Sequence, residues 1–207
     1  MKRLILCLMT LMLFALLIPA ASATVYTEYS AWLAATPGDH DAFGTPQNLG
    51  DLGVTTSTGS FGAPRGVFTS TYVWNDRVVL GGTSTVFYDG DRDGNVPYYA
   101  FGGFWDFSPG GDGDGLLLTL SNGQSWDICG YSYVGGCTVI PEGSFFGVVT
   151  SPFTTLTISA GNQPEVAETF DLSALDMVHP TPEPSSMLLL GSGLLGAARI
   201  IRRKLVR

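Results

Sequence analysis

The chain has 207 residues, of which 45% are hydrophobic, 12% aromatic and 14% charged. That length allows one domain with a substantial core or two small ones, and the aromatic content with low charge excludes a disordered chain. The net charge of −8 excludes a nucleic-acid binder, because an acidic surface repels phosphate. The charge is uneven: residues 24–180 hold three basic and 17 acidic side chains, a formal charge of −14, and the other basic residues lie at the two ends.

The first 23 residues have the three parts of a secretory signal peptide. Lys2 and Arg3 form a basic start, an apolar run covers residues 4–18, and Ala21-Ser22-Ala23 supplies the small residues of a cleavage site. An uncleaved membrane anchor is the alternative, but the apolar run is shorter than the roughly 20 residues that a span needs. The sequence therefore predicts export, with cleavage after Ala23.

Residues 24–178 are predicted to form one all-β domain, an antiparallel β-sandwich or jelly roll with one short N-terminal helix. Thr27 is expected to cap a helix over residues 28–34, which Pro37-Gly38 ends. Short runs of β-branched and aromatic residues then alternate with turn residues, a pattern that favours a sandwich over a parallel α/β sheet. The predicted strands cover residues 66–74, 77–80, 84–88, 97–107, 115–120, 125–128, 144–150, 153–159 and 167–172, with a turn at Asn75-Asp76.

One acidic loop matches the first half of a calcium-binding loop. Asp89, Asp91 and Asp93 alternate with other residues, and Gly94 would allow a sharp turn. The twelfth position is Ala100 instead of a bidentate Glu, which excludes an EF-hand, so Ca²⁺ remains an optional structural ion in a looser loop. The favoured interpretation is an exposed turn rich in Asp and Gly for conformational reasons, and the same holds for Asp112 and Asp114.

Two cysteines remain after removal of the signal peptide. Cys129 and Cys137 lie eight residues apart, and in an oxidising compartment such an isolated pair predicts a disulfide. A redox pair or a metal site is the alternative, but the spacing is not C-x-x-C and no histidine is near in sequence. The pair is therefore expected to be structural.

The sequence gives little support for catalysis. His40 is expected in a Gly-Asp-His-Asp turn and His179 in a proline-rich spacer, and neither belongs to a known catalytic motif. An Asp39-His40-Asp41 metal contact is possible in principle, but a solvated turn is preferred. The body has no lysine, which excludes Schiff-base mechanisms. Paired carboxylates for glycoside hydrolysis stay open, because spatial separation is invisible in sequence.

Aromatic residues are the other feature of the body. Most must fill the core, and the alternation of strands leaves some facing outward, where flat rings could stack on sugars. No particular carbohydrate-binding residue can be assigned. The aromatic residues considered are Trp74, Tyr88, Tyr98, Tyr99, Phe101, Phe104, Trp105, Phe107 and Trp126.

The C-terminal segment is built differently from the body. Residues 179–186 form a proline-rich spacer that contains Pro182, Glu183 and Pro184, and residues 187–207 form a short apolar helix of the transmembrane type with a basic tail. The apolar stretch is shorter than an ordinary span, and the positive charges after it would keep the tail in the cytoplasm. This order predicts a sorting tail that pauses in the membrane, with a plain C-terminal anchor as the alternative.

These three parts in this order resemble the PEP-CTERM sorting signal of exported bacterial proteins. The resemblance implies a Gram-negative host, recognition of Pro182, Glu183 and Pro184 by an exosortase, and transfer of the protein to the cell surface or extracellular matrix. In the body, Leu175-Asp176-Met177-Val178 is similar to the last strand of PEP-CTERM proteins with a lectin-like sandwich, but Met177 replaces a second Asp.

The sequence thus predicts an exported, non-enzymatic surface or matrix protein. Its predicted partners are an exosortase, the membrane before processing and an exopolysaccharide, with no nucleic acid. The alternative function is a secreted carbohydrate-active hydrolase. Cations and neutral glycans suit the body better than anionic partners, because residues 24–180 carry a formal charge of −14.

Overall fold

The computed structural model describes residues 22–42, 50–55, 58–68, 73–90, 96–107, 115–130, 136–161 and 167–181. The predicted signal peptide and nearly all of the sorting tail lie outside these ranges. No helix within them is both long and apolar enough to cross a membrane. The elements in chain order are β1 (Thr24–Tyr26), α1 (Tyr29–Ala35), β2 (Gly38–Ala42), β3 (Leu52–Thr55), β4 (Ser60–Gly62), β5 (Val73–Val79), β6 (Thr85–Asp89), β7 (Tyr98–Asp106), β8 (Leu116–Leu120), β9 (Ser125–Cys129), β10 (Thr138–Val139), β11 (Ser144–Phe153), β12 (Thr155–Ala160) and β13 (Ala167–Pro180).

The strands form two sheets that pack face to face. The first sheet has the order β1-β11-β7-β13-β5-β4, with β2 also pairing with β13. The second has the order β10-β9-β8-β12-β6-β3. Neighbours are antiparallel except β9 and β10, which run parallel. The predicted two-sheet sandwich with one short helix is confirmed.

The core lies between the sheets and is unusually aromatic. Alternate residues of each strand point inward, so one face of each sheet is apolar. Trp105, Phe101 and Phe146 of the first sheet meet Phe87 and Leu118 of the second, and all five side chains are fully buried. One hydrophobic cluster therefore joins the inner faces of the two sheets.

A bulge in β13 decides which side chains of that strand point into the core. Pairing with β7 is regular up to Ser173 and resumes at Asp176, and Ala174 between them has a φ of 51°. One extra residue reverses the alternation of everything that follows. Leu172 faces the core before the bulge, and Met177 faces it afterwards. His179 therefore points between the sheets, whereas Asp176 turns to the outer face.

Helix α1 covers the outer face of the first sheet. Its Trp32 is fully buried and contacts Phe145 at a ring distance of 5.5 Å. Gly102 and Gly147 lie opposite each other in β7 and β11, and a Cβ on either would collide with both aromatic rings. The predicted cap at Thr27 is wrong: the N-cap residue is Glu28, whose backbone is extended and whose side chain makes no capping hydrogen bond.

Several predicted boundaries change in the structure. The expected turn at Asn75-Asp76 is wrong, because β5 runs through it and the carboxylate of Asp76 accepts hydrogen bonds from Thr58, Thr85 and the Arg77 backbone. Strand β13 continues eight residues beyond the predicted end at Leu172. The sequence pattern does not predict β1, β2, β3, β4 or β10.

Candidate functional site

Three ionisable side chains converge at one end of the space between the sheets. Asp41 comes from β2, His179 from β13 and Asp89 from the end of β6 in the opposite sheet. His179 Nε2 lies 2.8 Å from Asp41 Oδ2 and 3.5 Å from Asp89 Oδ2. Exposure is 3% for Asp41, 0% for Asp89 and 2% for His179. Burial of this many ionisable groups is costly unless charges and hydrogen bonds are matched, which marks the cluster as a candidate site.

Two neighbouring residues fix the orientation of this cluster. His179 Nδ1 lies 3.0 Å from the carbonyl oxygen of Pro97, and the imidazole stacks on the Tyr98 ring at a centroid distance of 4.0 Å. The Tyr98 hydroxyl donates a hydrogen bond of 2.8 Å to Asp41 Oδ2. The imidazole is thus held by a backbone acceptor on one side and by a ring face above it.

Both histidines lie in strands, and the positions predicted for them from the sequence are wrong. His179, predicted to lie in the proline-rich spacer, belongs to β13 and is buried. The bulge at Ala174 turns its side chain inward, and no pattern in the sequence predicts that bulge. His40 was expected in a turn, but it lies in β2. The sequence offers no clear signal for Asp41, since a short polar strand such as β2 is hard to separate from a turn by composition alone.

Only part of the predicted calcium loop can be compared with the structure. Asp89 is the last residue of β6 and is fully buried, so the exposed-turn interpretation is wrong for this residue. Asp91, Asp93, Asp112 and Asp114 lie outside the described residues. Among the described residues, the ligand atoms of Asp41, Asp89 and His179 lie close enough together to hold a metal ion, within 4.8 Å of one another.

A second histidine–carboxylate pair lies on the outer face of the same two strands. His40 Nδ1 is 2.7 Å from Asp176 Oδ2, and His40 Nε2 is 3.0 Å from the carbonyl oxygen of Thr36. Burial raises the pKa of Asp176, while the hydrogen bond and charge of His40 lower it. This pair has one carboxylate for one imidazole. Met177, the next residue of β13, points the other way and belongs to the core.

Two more buried carboxylates hold a loop against the outer face. Asp171 Oδ2 accepts a hydrogen bond of 2.7 Å from the Arg65 backbone, and Asp106 Oδ2 accepts one of 2.7 Å from the Val67 backbone. The Arg65 guanidinium lies 3.6 Å from Asp171 Oδ1. These oxygens are occupied by the backbone of residues 65–67, which gives both carboxylates a structural role.

The aromatic residues considered for sugar stacking are mostly core. Trp74, Tyr98, Phe101, Trp105 and Phe107 are buried, and the remaining four, Tyr88, Tyr99, Phe104 and Trp126, are half-buried.

One of the half-buried rings, Tyr99, lines a surface groove. The groove has a volume of about 320 Å³ and is shared with Ala35, Pro37, Pro180 and Thr181. The Tyr99 hydroxyl donates to the Pro37 carbonyl oxygen at 3.2 Å, and burial raises the pKa of this phenol.

The two remaining cysteines form the expected disulfide. Cys129 at the end of β9 is bonded to Cys137, and their Cα atoms are 5.9 Å apart. The bond closes the connection between β9 and β10 at the edge of the second sheet. This is the structural role that the sequence predicted.

Comparison with known proteins identifies the C-terminal segment. The family model of the PEP-CTERM protein-sorting motif matches residues 180–204. No curated protein and no solved structure matches the chain. The motif implies processing by an exosortase, and proteins that carry it are exported and sorted to the cell surface.

The fold and the motif together define the class of protein. It is a two-sheet β-sandwich that carries a sorting signal immediately after its last strand, because the matched segment begins at Pro180, where β13 ends. This chain is accordingly an exported protein sorted by an exosortase through its PEP-CTERM motif.

Proposed function

We propose that the protein is a non-enzymatic component of the cell surface or extracellular matrix. The observation that carries this proposal is the sorting motif at residues 180–204 on a compact acidic sandwich. Because the motif follows the fold without overlapping its core, processing of the tail would leave a complete body outside the cell. The role of such a body is then set by what its surface binds.

We further propose that the body binds a neutral exopolysaccharide in the Tyr99 groove. The flat ring of Tyr99 beside Pro37 and Pro180 offers an apolar surface of the size of a sugar ring. The formal charge of −14 over residues 24–180 disfavours acidic polysaccharides. The groove adjoins the start of the sorting motif, so binding and attachment would occur on the same side of the body.

A hydrolase remains the alternative, and the carboxylates give it little support. Retaining and inverting glycosidases both need two carboxyl groups free to act on opposite sides of a bond. Asp106 and Asp171 instead accept hydrogen bonds from the backbone of residues 65–67, and Asp41 accepts one from Tyr98. A non-enzymatic role fits these contacts better.

A glycan array combined with a reducing-sugar release assay tests the binding proposal. The full chain, purified in mild detergent, should bind neutral glycans without releasing sugar. Tyr99→Ala should lose binding, whereas Tyr99→Phe should retain it because the stacking ring remains. Tyr88→Ala is the matched control, since Tyr88 is also half-buried but lies on the second sheet. Sugar release, or equal binding by Tyr99→Ala and Tyr88→Ala, would contradict the proposal.

Fractionation of the host tests the destination. The protein should appear in the matrix or outer surface fraction of a strain with its exosortase, and it should stay in the inner membrane when the exosortase gene is deleted. A Glu183→Ala change in the sorting motif should reproduce the deletion. Glu165→Ala is the control, because it removes one acidic residue before the motif. An unchanged distribution in the deletion strain would contradict sorting to the surface.

A further inference from the structure

The hydrogen bonds of His179 determine which of its ring nitrogens faces the two buried carboxylates. A carbonyl oxygen only accepts hydrogen bonds, so His179 Nδ1, at 3.0 Å from Pro97 O, carries a proton. In a neutral imidazole Nε2 then has a lone pair, and it faces oxygens of Asp41 and Asp89 at 2.8 and 3.5 Å. Carboxylate oxygens also offer lone pairs. A positive centre, either a proton or a metal ion, must lie among these three atoms.

The geometry of the cluster suits a metal ion. The ligand atoms of the three side chains lie within 4.8 Å of one another, and all three side chains are more than nine-tenths buried. They come from both sheets, so their convergence is a property of the folded body.

We propose that Asp41 Oδ2, Asp89 Oδ2 and His179 Nε2 form a binding site for a divalent transition-metal ion of the zinc type. Ligand atoms about 2.0–2.1 Å from a tetrahedral ion lie about 3.3 Å apart, and the separations of 2.8 and 3.5 Å to Nε2 lie on either side of that value. The Pro97 carbonyl and the Tyr98 hydroxyl supply the outer hydrogen bonds that orient a ligating imidazole and carboxylate.

The imidazole ligand distinguishes this site from a calcium-binding loop. Ca²⁺ takes six to eight oxygen ligands, whereas Zn²⁺ accepts nitrogen and oxygen in sets of four. Three side chains leave one position for water or a further ligand. The metal would connect β2 and β13 of one sheet to β6 of the other. Binding of this kind stabilises the folded state, since the three ligands converge only after folding.

Metal analysis of the full chain in mild detergent tests the site directly. The protein is stripped with a chelator, dialysed against Zn²⁺ and measured by mass spectrometry and thermal denaturation. The wild type should retain one zinc per chain and show a Tm that rises with Zn²⁺ concentration. His179→Gln and Asp89→Asn should weaken zinc binding at least about tenfold. His40→Gln is the matched control, because the His40–Asp176 pair lies on the same two strands but has one carboxylate, and it should bind zinc like the wild type.

The proposal is wrong if the wild type retains no zinc, or if His179→Gln and His40→Gln bind it equally. The first result would assign the cluster to an imidazolium ion pair, and the second would assign the zinc to the acidic surface. Should His179→Gln fail to fold, Co²⁺ loading of the wild type provides the second measurement. Co²⁺ bound in a four-coordinate site by one imidazole and two carboxylates should give intense d–d absorption bands in the visible range. A spectrum of hydrated Co²⁺ alone would overturn the proposal.

Discussion

Asp106 lies directly opposite Asp171 across β7 and β13, and both carboxylates are fully buried. Burial raises the pKa of Asp171, the hydrogen bonds and charge of Arg65 lower it, and Asp106 raises it further. The net direction is upward from the ordinary value of 3.8. The folded chain therefore binds more protons than the unfolded chain just above pH 3.8, and stability falls as pH rises through that interval.

The Asp171→Asn variant should consequently lose less stability than the wild type as the pH rises from 3.8. The Asn carbonyl can still accept the hydrogen bond from the Arg65 backbone, so the fold is retained. Urea unfolding at a series of pH values measures the effect. Arg65→Gln should act in the opposite direction, because it removes the guanidinium, whose charge and hydrogen bond lower the pKa of Asp171, while the backbone N–H of residue 65 remains. Parallel pH profiles for wild type and Asp171→Asn would contradict this assignment.

Close packing of Trp32 on two opposed glycines predicts a coupled effect on stability. A Cβ at position 147 would come within 2.8 Å of the Trp32 ring and 2.7 Å of Phe145, so Gly147→Ala should lower the free energy of unfolding by about 1–3 kcal/mol. In a Trp32→Ala background the same change should cost less, since the ring is gone. Denaturant unfolding of the four proteins gives the coupling energy. Simple additivity would argue against contact between these residues.

The left-handed backbone at Ala174 predicts a stabilising substitution. A φ of 51° is unfavourable for a residue with a Cβ and is readily adopted by glycine. Ala174→Gly should therefore raise the free energy of unfolding by about 0.5–1 kcal/mol. Ala42→Gly, in the regular strand β2, should lower it by a similar amount. A loss of stability in Ala174→Gly would show that the bulge is not under conformational strain.

The Cys129–Cys137 disulfide should contribute to stability through the loop that it closes. For cysteines eight residues apart, loop-closure entropy gives about 2.5 kcal/mol. Reductant should lower the Tm of the wild type and leave that of a Cys129→Ser/Cys137→Ser variant unchanged. The variant without reductant should match the reduced wild type. If reductant also lowered the Tm of the double variant, its effect on the wild type could not be attributed to the Cys129–Cys137 disulfide.

Much of the sandwich follows from the sequence because local pattern and global fold agree there. Strands such as β8 and β12 alternate buried and half-buried residues between clear turn residues, and they were predicted nearly to the residue. Short polar edge strands such as β2 carry no such pattern. Asp76 resembled a turn residue because the hydroxyls that satisfy its carboxylate, on Thr58 and Thr85, come from other segments of the fold.

The candidate site was harder to predict than the fold, and the bulge in β13 is the reason. Asp89 was recognised as a possible ligand, but its partners Asp41 and His179 are separated from it by 48 and 90 positions in sequence. The direction of His179 depends on one extra residue at Ala174. A reversal of alternation in the middle of a strand depends on pairing with neighbours, which a single sequence does not display.

The central position of β13 also links the completion of folding to the completion of secretion. This strand is the last element before the sorting motif, yet it pairs with β7, β5 and β2 in the middle of the first sheet. A nascent chain that has not yet delivered residues 167–180 across the membrane leaves those three strands without their shared partner. The first sheet can therefore close only once residues 167–180, the segment that leads directly into the motif, are available to pair.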